Sequence, residues 1–486
     1  MNILYAIFEA VPFAKSGGLG DVGGALPFFL KEDGHDVRVV MPKHDAIPSR
    51  FRGKMKHLFS FQVQLGWRTQ YCGVETLEHR GVTYYFIDNE HYFKRDSLYG
   101  YGDDEERSAF FCKATLLCLT HLERFKPQII HCNDWHTALI PVMLKEYFGD
   151  HPYYYDIRTV ISIHNLKYQG ITGYDFLNDV LDMGGHVAAS DRLSFGGAVN
   201  FLKGALLYAD AITTVSPSYA REITTPYFGE GLDGVLRWRE GNLTGILNGI
   251  DYGEYDPARD EMLYRPYADD AEGKAFNKKK LREELALPAE EKMPLLVIVS
   301  RLTEQKGLDL VAHILEELLY KGDVQLAVLG TGDWRYEEMF YYFANRYPKR
   351  IAVRITFDET LARRIYAGGD ILLMPSKFEP CGITQMIAMK YGTVPIVRET
   401  GGLRDTVVPY NRFTGEGTGF SFANYNAHEL LFAIREAADI CRGDRTAWSG
   451  IQKNARAADF SWQTSARRYA ALYDGLCKKS KFIRNQ

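Results

Sequence analysis

The sequence predicts an α/β protein built from two parallel-sheet domains that face each other across a cleft. Three observations predict it. The chain has 486 residues, more than the about 250–300 that one hydrophobic core usually serves. Short β-branched runs alternate with helical stretches, the pattern of a parallel sheet covered on both faces. One apolar run in each half stops in a glycine-punctuated turn that opens a helix. The first, NILYAIFEA, leads into KSGGLGDVGG (Lys15–Gly24); the second, PLLVIVS, leads into SRLTEQKGLD (Ser300–Asp309). Such a turn aims backbone N–H groups and a helix N-terminus at an anion. Both turns also carry cations, Lys15 in one and Arg301 with Lys306 in the other. Together they predict a phosphorylated ligand gripped by two domains.

In the first half, Asn2–Glu9 reads as a strand, Leu19–Asp33 as a helix and Asp36–Pro42 as the next strand. Phe59–Leu65, Thr69–Leu77 and Val82–Asp88 alternate apolar and polar residues, which predicts an antiparallel excursion. A helix over Glu106–Arg124 follows, then strands at Gln128–Asn133, Thr159–Asn165 and Asp210–Ser216. The half closes on Leu243–Leu247 and Asn248-Gly249. A link of about forty residues with Pro257, Pro266, Pro288 and Pro294 comes next; within it Asn277–Leu285 reads as a charged, solvated helix. The second half is more regular, with strands at Pro294–Ser300, Val324–Gly330, Ile351–Phe357, Asp370–Ser376 and Thr393–Glu399. Trp462–Leu476 is a helix with an apolar stripe.

Composition narrows the function. Apolar residues at 46% and charged residues at 25% are ordinary for a globular protein. A net charge of −4 gives no field to attract nucleic acid or an anionic membrane. No run approaches the about 18 apolar residues of a membrane span. The apolar N-terminus lacks a basic segment and is interrupted by Glu9, so it reads as a buried strand and not a signal peptide. Seven cysteines, an odd number with no C-x-x-C pair, predict a reduced, cytoplasmic protein. The 31 Tyr and 28 Phe include rings able to stack on sugars, although most serve the core.

Gly18, Gly20 and Gly23 match the dinucleotide pattern G-x-G-x-x-G, which makes a nicotinamide-dependent oxidoreductase one alternative. That reading also needs an acid at the end of the second strand, where Pro42 and Lys43 stand, with Asp45 beyond. No P-loop and no D-x-D metal-diphosphate handle occurs. His131, Asp134, His136 and His164 follow strand ends, where open α/β sheets bind ligands. They allow a metal site, but no helix-spaced ligand pair accompanies them, and His131 and His136 serve equally well as structural histidines. Arg301 and Lys306 suit a departing diphosphate, at roughly 1.5–3 kcal/mol per charge-assisted hydrogen bond. Glu379 can accept bonds from sugar hydroxyls. Gly382 lets backbone N–H groups approach phosphate, and Gly401 with Gly402 offers a second backbone nest. Cys381 serves as a contact or as a small buried residue.

In this order the motifs KSGGLGDV, HCNDWH, SIHN, NFLKGALLYADAITTVSPSYAREI, GILNGID, SRLTEQKG, PSKFEPCGITQ and RETGGLRDTV closely resemble those of the bacterial glycogen synthases and their starch synthase relatives. They run from about residue 2 to about residue 475. The resemblance implies two Rossmann-like domains in the metal-free GT-B glycosyltransferase architecture: residues 1–250 on the glucan acceptor side, 251–460 on the nucleotide-sugar side, and a last helix in 461–486 that packs back on the first domain. It implies transfer of glucose from ADP-glucose to the non-reducing end of an α-1,4-glucan with retention, and no cofactor. By the same resemblance Lys15 and Gly18 meet the donor phosphates, and Arg301 and Lys306 hold the leaving diphosphate. Glu379 and His164 contact the transferred glucose, with Asn248 nearby, and Asp134 is the acceptor-side acid; Asn165 is a substrate-binding candidate as the chain neighbour of His164. Gly382, Ile383 and Thr384 give backbone or hydroxyl contacts to the nucleotide sugar; Cys381, Gly401 and Gly402 stay candidates for substrate contact from their own residue types. Many retaining transferases carry a second glutamate eight positions after the first; Ile387 stands there, as in the bacterial glycogen synthases, and the ribose contact stays unassigned. Ser16 replaces a common threonine. A non-catalytic glucan-binding homologue is the other alternative, which the intact Lys15, Arg301, Lys306 and Glu379 disfavour. The sequence shows no appended carbohydrate-binding domain or transit peptide, which favours a bacterial enzyme over a plastid one.

Overall fold

The computed structural model describes residues 1–484 except 123, 184, 186, 188, 189 and 269. The chain divides into two units, one of Met1–Val215, Ala220–Leu247 and Trp462–Gln486, the other of Ser216–Tyr219 and Asn248–Ser461.

The first unit holds β1 (Asn2–Ala6), β2 (Asp36–Pro42), β3 (Lys56–Leu65), β4 (Arg68–His79), β5 (Val82–Asp88), β6 (Ile129–Asn133) and β7 (Arg158–Ile163). It continues with the short β8 (Ile171–Thr172), β9 (Ser194–Phe195) and β10 (Ala198–Asn200), then β11 (Ala211–Thr214) and β12 (Leu243–Gly245). Nine strands form one sheet in the order β12-β11-β7-β6-β1-β2-β5-β4-β3; β8, β10 and β9 form a small separate sheet that the sequence reading missed. From β5 across to β12 every pairing is parallel, while β5-β4-β3 is the expected antiparallel excursion. Ile3, Leu4, Tyr5 and Ala6 are wholly buried, as a central strand covered on both faces requires. β1 is shorter than expected: after Ala6 only the Ile7 N–H still reaches the neighbouring strand, at Val40 O.

Helix α1 (Gly18–Glu32) covers one face of this sheet. Helix α2 (Asp104–Cys118) gives way to a short 3-10 turn at Leu119–His121, earlier than the expected end at Arg124; residue 123 lies outside the described residues. The last helix, Trp462–Arg484, buries Trp462, Tyr469 and Tyr473 in the core that contains Ile3, Leu26 and Leu30.

The second unit contains β13 (Leu295–Val299), β14 (Gln325–Leu329), β15 (Ile351–Arg354), β16 (Ile371–Met374), β17 (Val394–Arg398) and β18 (Phe420–Phe422), all parallel, in the order β15-β14-β13-β16-β17-β18. Numbered within the unit this is 3-2-1-4-5-6, the doubly wound Rossmann order. The parallel part of the first sheet follows the same order with a seventh strand, β12, at its edge, and β1 and β6 are the pair at which the order reverses. The helix over Ala271–Glu284 corrects the solvated reading of Asn277–Leu285. Asn277, Leu281 and Arg282 are buried, and the Lys274 ammonium donates to Ala367 O at 3.1 Å, Tyr391 O at 3.0 Å and Thr393 Oγ1 at 2.9 Å. Among the described residues no helix is long and apolar enough to cross a membrane.

Candidate functional site

Open α/β sheets bind ligands where the strand order reverses, beyond the carboxyl ends of the two strands on either side. In the first unit these strands are β1 and β6, and in the second β13 and β16. The sequence-predicted residues fall at these two places and along the neighbouring strand ends.

In the first unit, the loop after β1 folds back on a buried acid. Glu9 accepts from the backbone N–H and the hydroxyl of Ser16, the latter at 3.0 Å. Burial pushes the Glu9 carboxyl up, against the opposing effect of these bonds and of the Gly17 N–H. In the sequence the only signal of Glu9 is an acid at the end of an apolar run. Gly23 and Gly24 let α1 lie against this loop: a Cβ on Gly23 would stand 2.6 Å from Glu9 O, and one on Gly24 2.3 Å from Val11 Cγ2. Around Gly18 there is open space instead. Lys15, partly exposed, pairs with Asp21 at 2.6 Å. At the end of β2, Lys43 pairs with Glu75 at 2.6 Å and with Asp88 at 3.4 Å, and Asp45 pairs with Arg52 at 2.7 Å. The nicotinamide alternative therefore finds a cation at that strand end, and its one late acid is engaged elsewhere.

β6 ends in Asn133, and Asp134 follows with a positive φ of 56°. The Asp134 carboxylate accepts from the His164 backbone N–H at 2.7 Å and also receives the Asn165 N–H. Burial pushes it up to about 7 although both bonds favour the ionised form. His164 Nε2 meets Asn133 Oδ1 at 2.9 Å, and burial lowers the ring's pKa to about 4. Asn165 Oδ1 accepts from the Lys167 N–H at 3.1 Å. His131 lies deeper, between Tyr473 OH and Ser162 Oγ, both at 2.6 Å, and His136 stacks on Phe8 with ring centres 4.8 Å apart. Among the described residues no group of three His, Cys, Asp or Glu side chains is placed to hold a metal ion.

In the second unit, β13 leads through the exposed Arg301 to a 3-10 turn, Glu304–Lys306, and a 14-residue helix from Leu308. Gly307 joins them with φ 70°; a Cβ there would stand 2.0 Å from Pro375 O, so only glycine permits this approach. Lys306 Nζ lies 2.6 Å from Glu379 Oε2, which also accepts from Ser376 Oγ at 3.1 Å. Lys377 N–H donates to Gln305 O at 2.9 Å, tying the two loops together at the backbone. The loop after β17 packs just as closely. A Cβ on Gly401 would stand 2.0 Å from Glu379 O, and one on Gly402 2.1 Å from Cys381 O. Gly382 has φ 71°, Ile383 caps the helix that starts at Thr384, and the Thr384 hydroxyl bonds Tyr366. Cys381 is buried, its thiol pushed up to about 12 by desolvation, and receives the Asn248 backbone N–H. The Asn248 side-chain oxygen is buried with no hydrogen-bond partner among the described residues. This second site therefore offers a buried carboxylate, an ammonium, a guanidinium and an unused acceptor, a set suited to a polyhydroxylated ligand with an anionic group.

Comparison with known proteins bears on what these sites serve. Residues 2–238 match the starch synthase catalytic domain, and residues 277–445 match glycosyl transferases group 1. The chain is 51% identical over 477 residues to a glycogen synthase of Anoxybacillus flavithermus, covering 98% of each chain. It is 50% identical over 482 residues to a glycogen synthase of Geobacillus stearothermophilus, covering 99% of each. Among solved structures it is similar to the catalytic domain of starch synthase IV from Arabidopsis thaliana bound to ADP and acarbose, with a TM-score of 0.89 and 32% identity over 98% of this chain and 99% of that one.

Proposed function

This chain belongs to the glycogen synthase and starch synthase family of GT-B glycosyltransferases, and from that premise we propose that it transfers glucose from ADP-glucose to the non-reducing end of an α-1,4-glucan with retention at the anomeric carbon. The observation that carries the reading is the Lys306–Glu379 pair at the reversal point of the second sheet, with Arg301 on the same strand end. Glu379 receives hydroxyls of the transferred glucose. Arg301 and Lys306 take the diphosphate as it departs. Because that leaving group gains charge as the bond breaks, fixed cations stabilise the transition state more than the bound donor. Lys15 and the open backbone at Gly18 serve the donor phosphates. Gly382, Ile383, Thr384, Gly401 and Gly402 supply backbone or hydroxyl contacts to the nucleotide sugar. Asn248 offers its unused oxygen to a hydroxyl, Cys381 packs beside it, and Asn165 stands next to His164.

In the first unit, His164 contacts the transferred glucose and Asp134 serves the acceptor. Ile387 occupies the position of the second glutamate, and the proposed displacement proceeds on one face of the sugar. The departing phosphate helps take the proton of the incoming hydroxyl, and the new bond forms on the side from which ADP leaves. ADP as donor nucleotide is supported by the ADP in the starch synthase IV complex. A competition assay tests this directly, with ADP-glucose and UDP-glucose at equal concentration and a short maltooligosaccharide acceptor. ADP should be released in large excess over UDP; an excess of UDP contradicts the donor assignment.

A further inference from the structure

Asn133 is the last residue of β6, fully buried, and its side-chain amide makes hydrogen bonds with β1 and with His164, and a longer one from Nδ2 to His131 O at 3.5 Å. Nδ2 lies 3.0 Å from Ala6 O, Oδ1 lies 3.0 Å from Tyr5 OH, and Oδ1 lies 2.9 Å from His164 Nε2. A backbone carbonyl can only accept, so the amide nitrogen must face Ala6 and the amide oxygen must face the histidine. An amide oxygen has no proton to give. The proton of the Asn133–His164 bond therefore resides on His164 Nε2, and in the neutral ring the lone pair is left on Nδ1.

We propose that Asn133 is a positioning residue for the transfer: it holds His164 as the Nε2–H tautomer, so that Nδ1 presents a hydrogen-bond acceptor to a hydroxyl of the transferred glucose. The inference rests on the reading that His164 contacts that sugar. The backbone completes the grip, because Asp134, the next residue, accepts the His164 N–H at 2.7 Å. Ring and main chain of His164, the residue just past β7, are thus fixed by Asn133 at the end of β6 and by Asp134 directly after it. Asn133 is itself pegged, its N–H donating to Thr137 Oγ1 at 2.6 Å. An acceptor set in this way selects a donor whose hydroxyl is intact, since a deoxy sugar would leave it unpaired.

The test is ¹⁵N NMR on the full chain labelled at histidine, with the His164 signals assigned by their loss in His164→Ala. The wild-type ring should show a protonated Nε2 and an unprotonated Nδ1. In Asn133→Leu the two tautomers should mix, and kcat should fall about ten- to a hundred-fold, with the acceptor KM nearly unchanged. A wild-type ring protonated at Nδ1, or an Asn133→Leu ring that keeps the wild-type tautomer, overturns the inference and leaves the glucosyl-transfer reading in place. The wild-type spectrum decides even if Asn133→Leu does not fold. Wild-type turnover by His164→Ala instead overturns the sugar contact, and the inference with it.

Discussion

Lys306 and Glu379 stand 73 residues apart in the chain, and their charged groups meet at 2.6 Å with the carboxylate almost wholly buried. Removing one partner leaves the other charge desolvated and unpaired. Lys306→Ala should therefore lose stability, by about 3 kcal/mol, as well as turnover, by about 10²–10³-fold in kcat. The double variant Lys306→Ala with Glu379→Ala should regain part of the stability and none of the activity. Urea unfolding and initial rates check both. Near-normal turnover by Lys306→Ala would end the diphosphate role.

The Asp134 carboxyl titrates at about 7 in the folded protein, against about 3.9 for an unfolded aspartate. Between those values the folded protein holds the proton more tightly than the unfolded chain, so this group lowers stability progressively as pH rises from about 4 to about 7. Asp134→Asn cannot ionise and keeps an oxygen for the His164 and Asn165 N–H groups. Its unfolding midpoint should match the wild type near pH 4 and exceed it increasingly up to about pH 7. Turnover should fall by about 10²-fold if the acid serves the acceptor. A stability difference that stays constant across the window would contradict the burial account.

Gly24 and Gly18 separate packing from function. Gly24→Ala drives a Cβ into Val11, with its backbone oxygen 2.6 Å away, and should cost about 1–3 kcal/mol while displacing the loop that carries Lys15. Gly18→Ala meets nothing within 4 Å and should leave the melting temperature unchanged while raising the KM for the nucleotide sugar. Thermal unfolding beside donor titration distinguishes the two. Equal destabilisation by both would show that Gly18 is a packing residue.

The Cys381 thiol, pushed up to about 12 by burial, is protonated at neutral pH and is no nucleophile. Cys381→Ser should retain at least about half of wild-type kcat, as expected for a residue that packs and does not react. A loss beyond about a hundred-fold, with the fold intact by circular dichroism, would assign the sulfur a chemical role.

The strand ends were legible in the sequence because buried parallel strands are short β-branched runs and because glycine marks the turns that follow them. Lys15, Arg301, Lys306 and Glu379 could be singled out for that reason. What the sequence could not convey is pairing over long separations: that Lys306 meets Glu379, or that the loop at Ser16 closes on Glu9, which local pattern presents as a flaw in an apolar run. The helix at Ala271–Glu284 misled for a related reason. Its charges look solvated, yet Lys274 and Arg282 point inward to oxygen acceptors supplied by distant strands and loops. The role of the Asn133 amide is not legible in local spacing, because Tyr5 and Ala6 on β1 and His164 just past β7 come to it only in the fold.

The most direct measurement is to give the purified protein ADP-glucose labelled with ¹³C at the anomeric carbon, together with a maltooligosaccharide, and to follow the products by NMR while ADP is assayed. Stoichiometric release of ADP and a new non-reducing-end glucose in α-1,4 linkage is the result expected. A β-linked product, free glucose without chain growth, or no release of ADP would contradict the account.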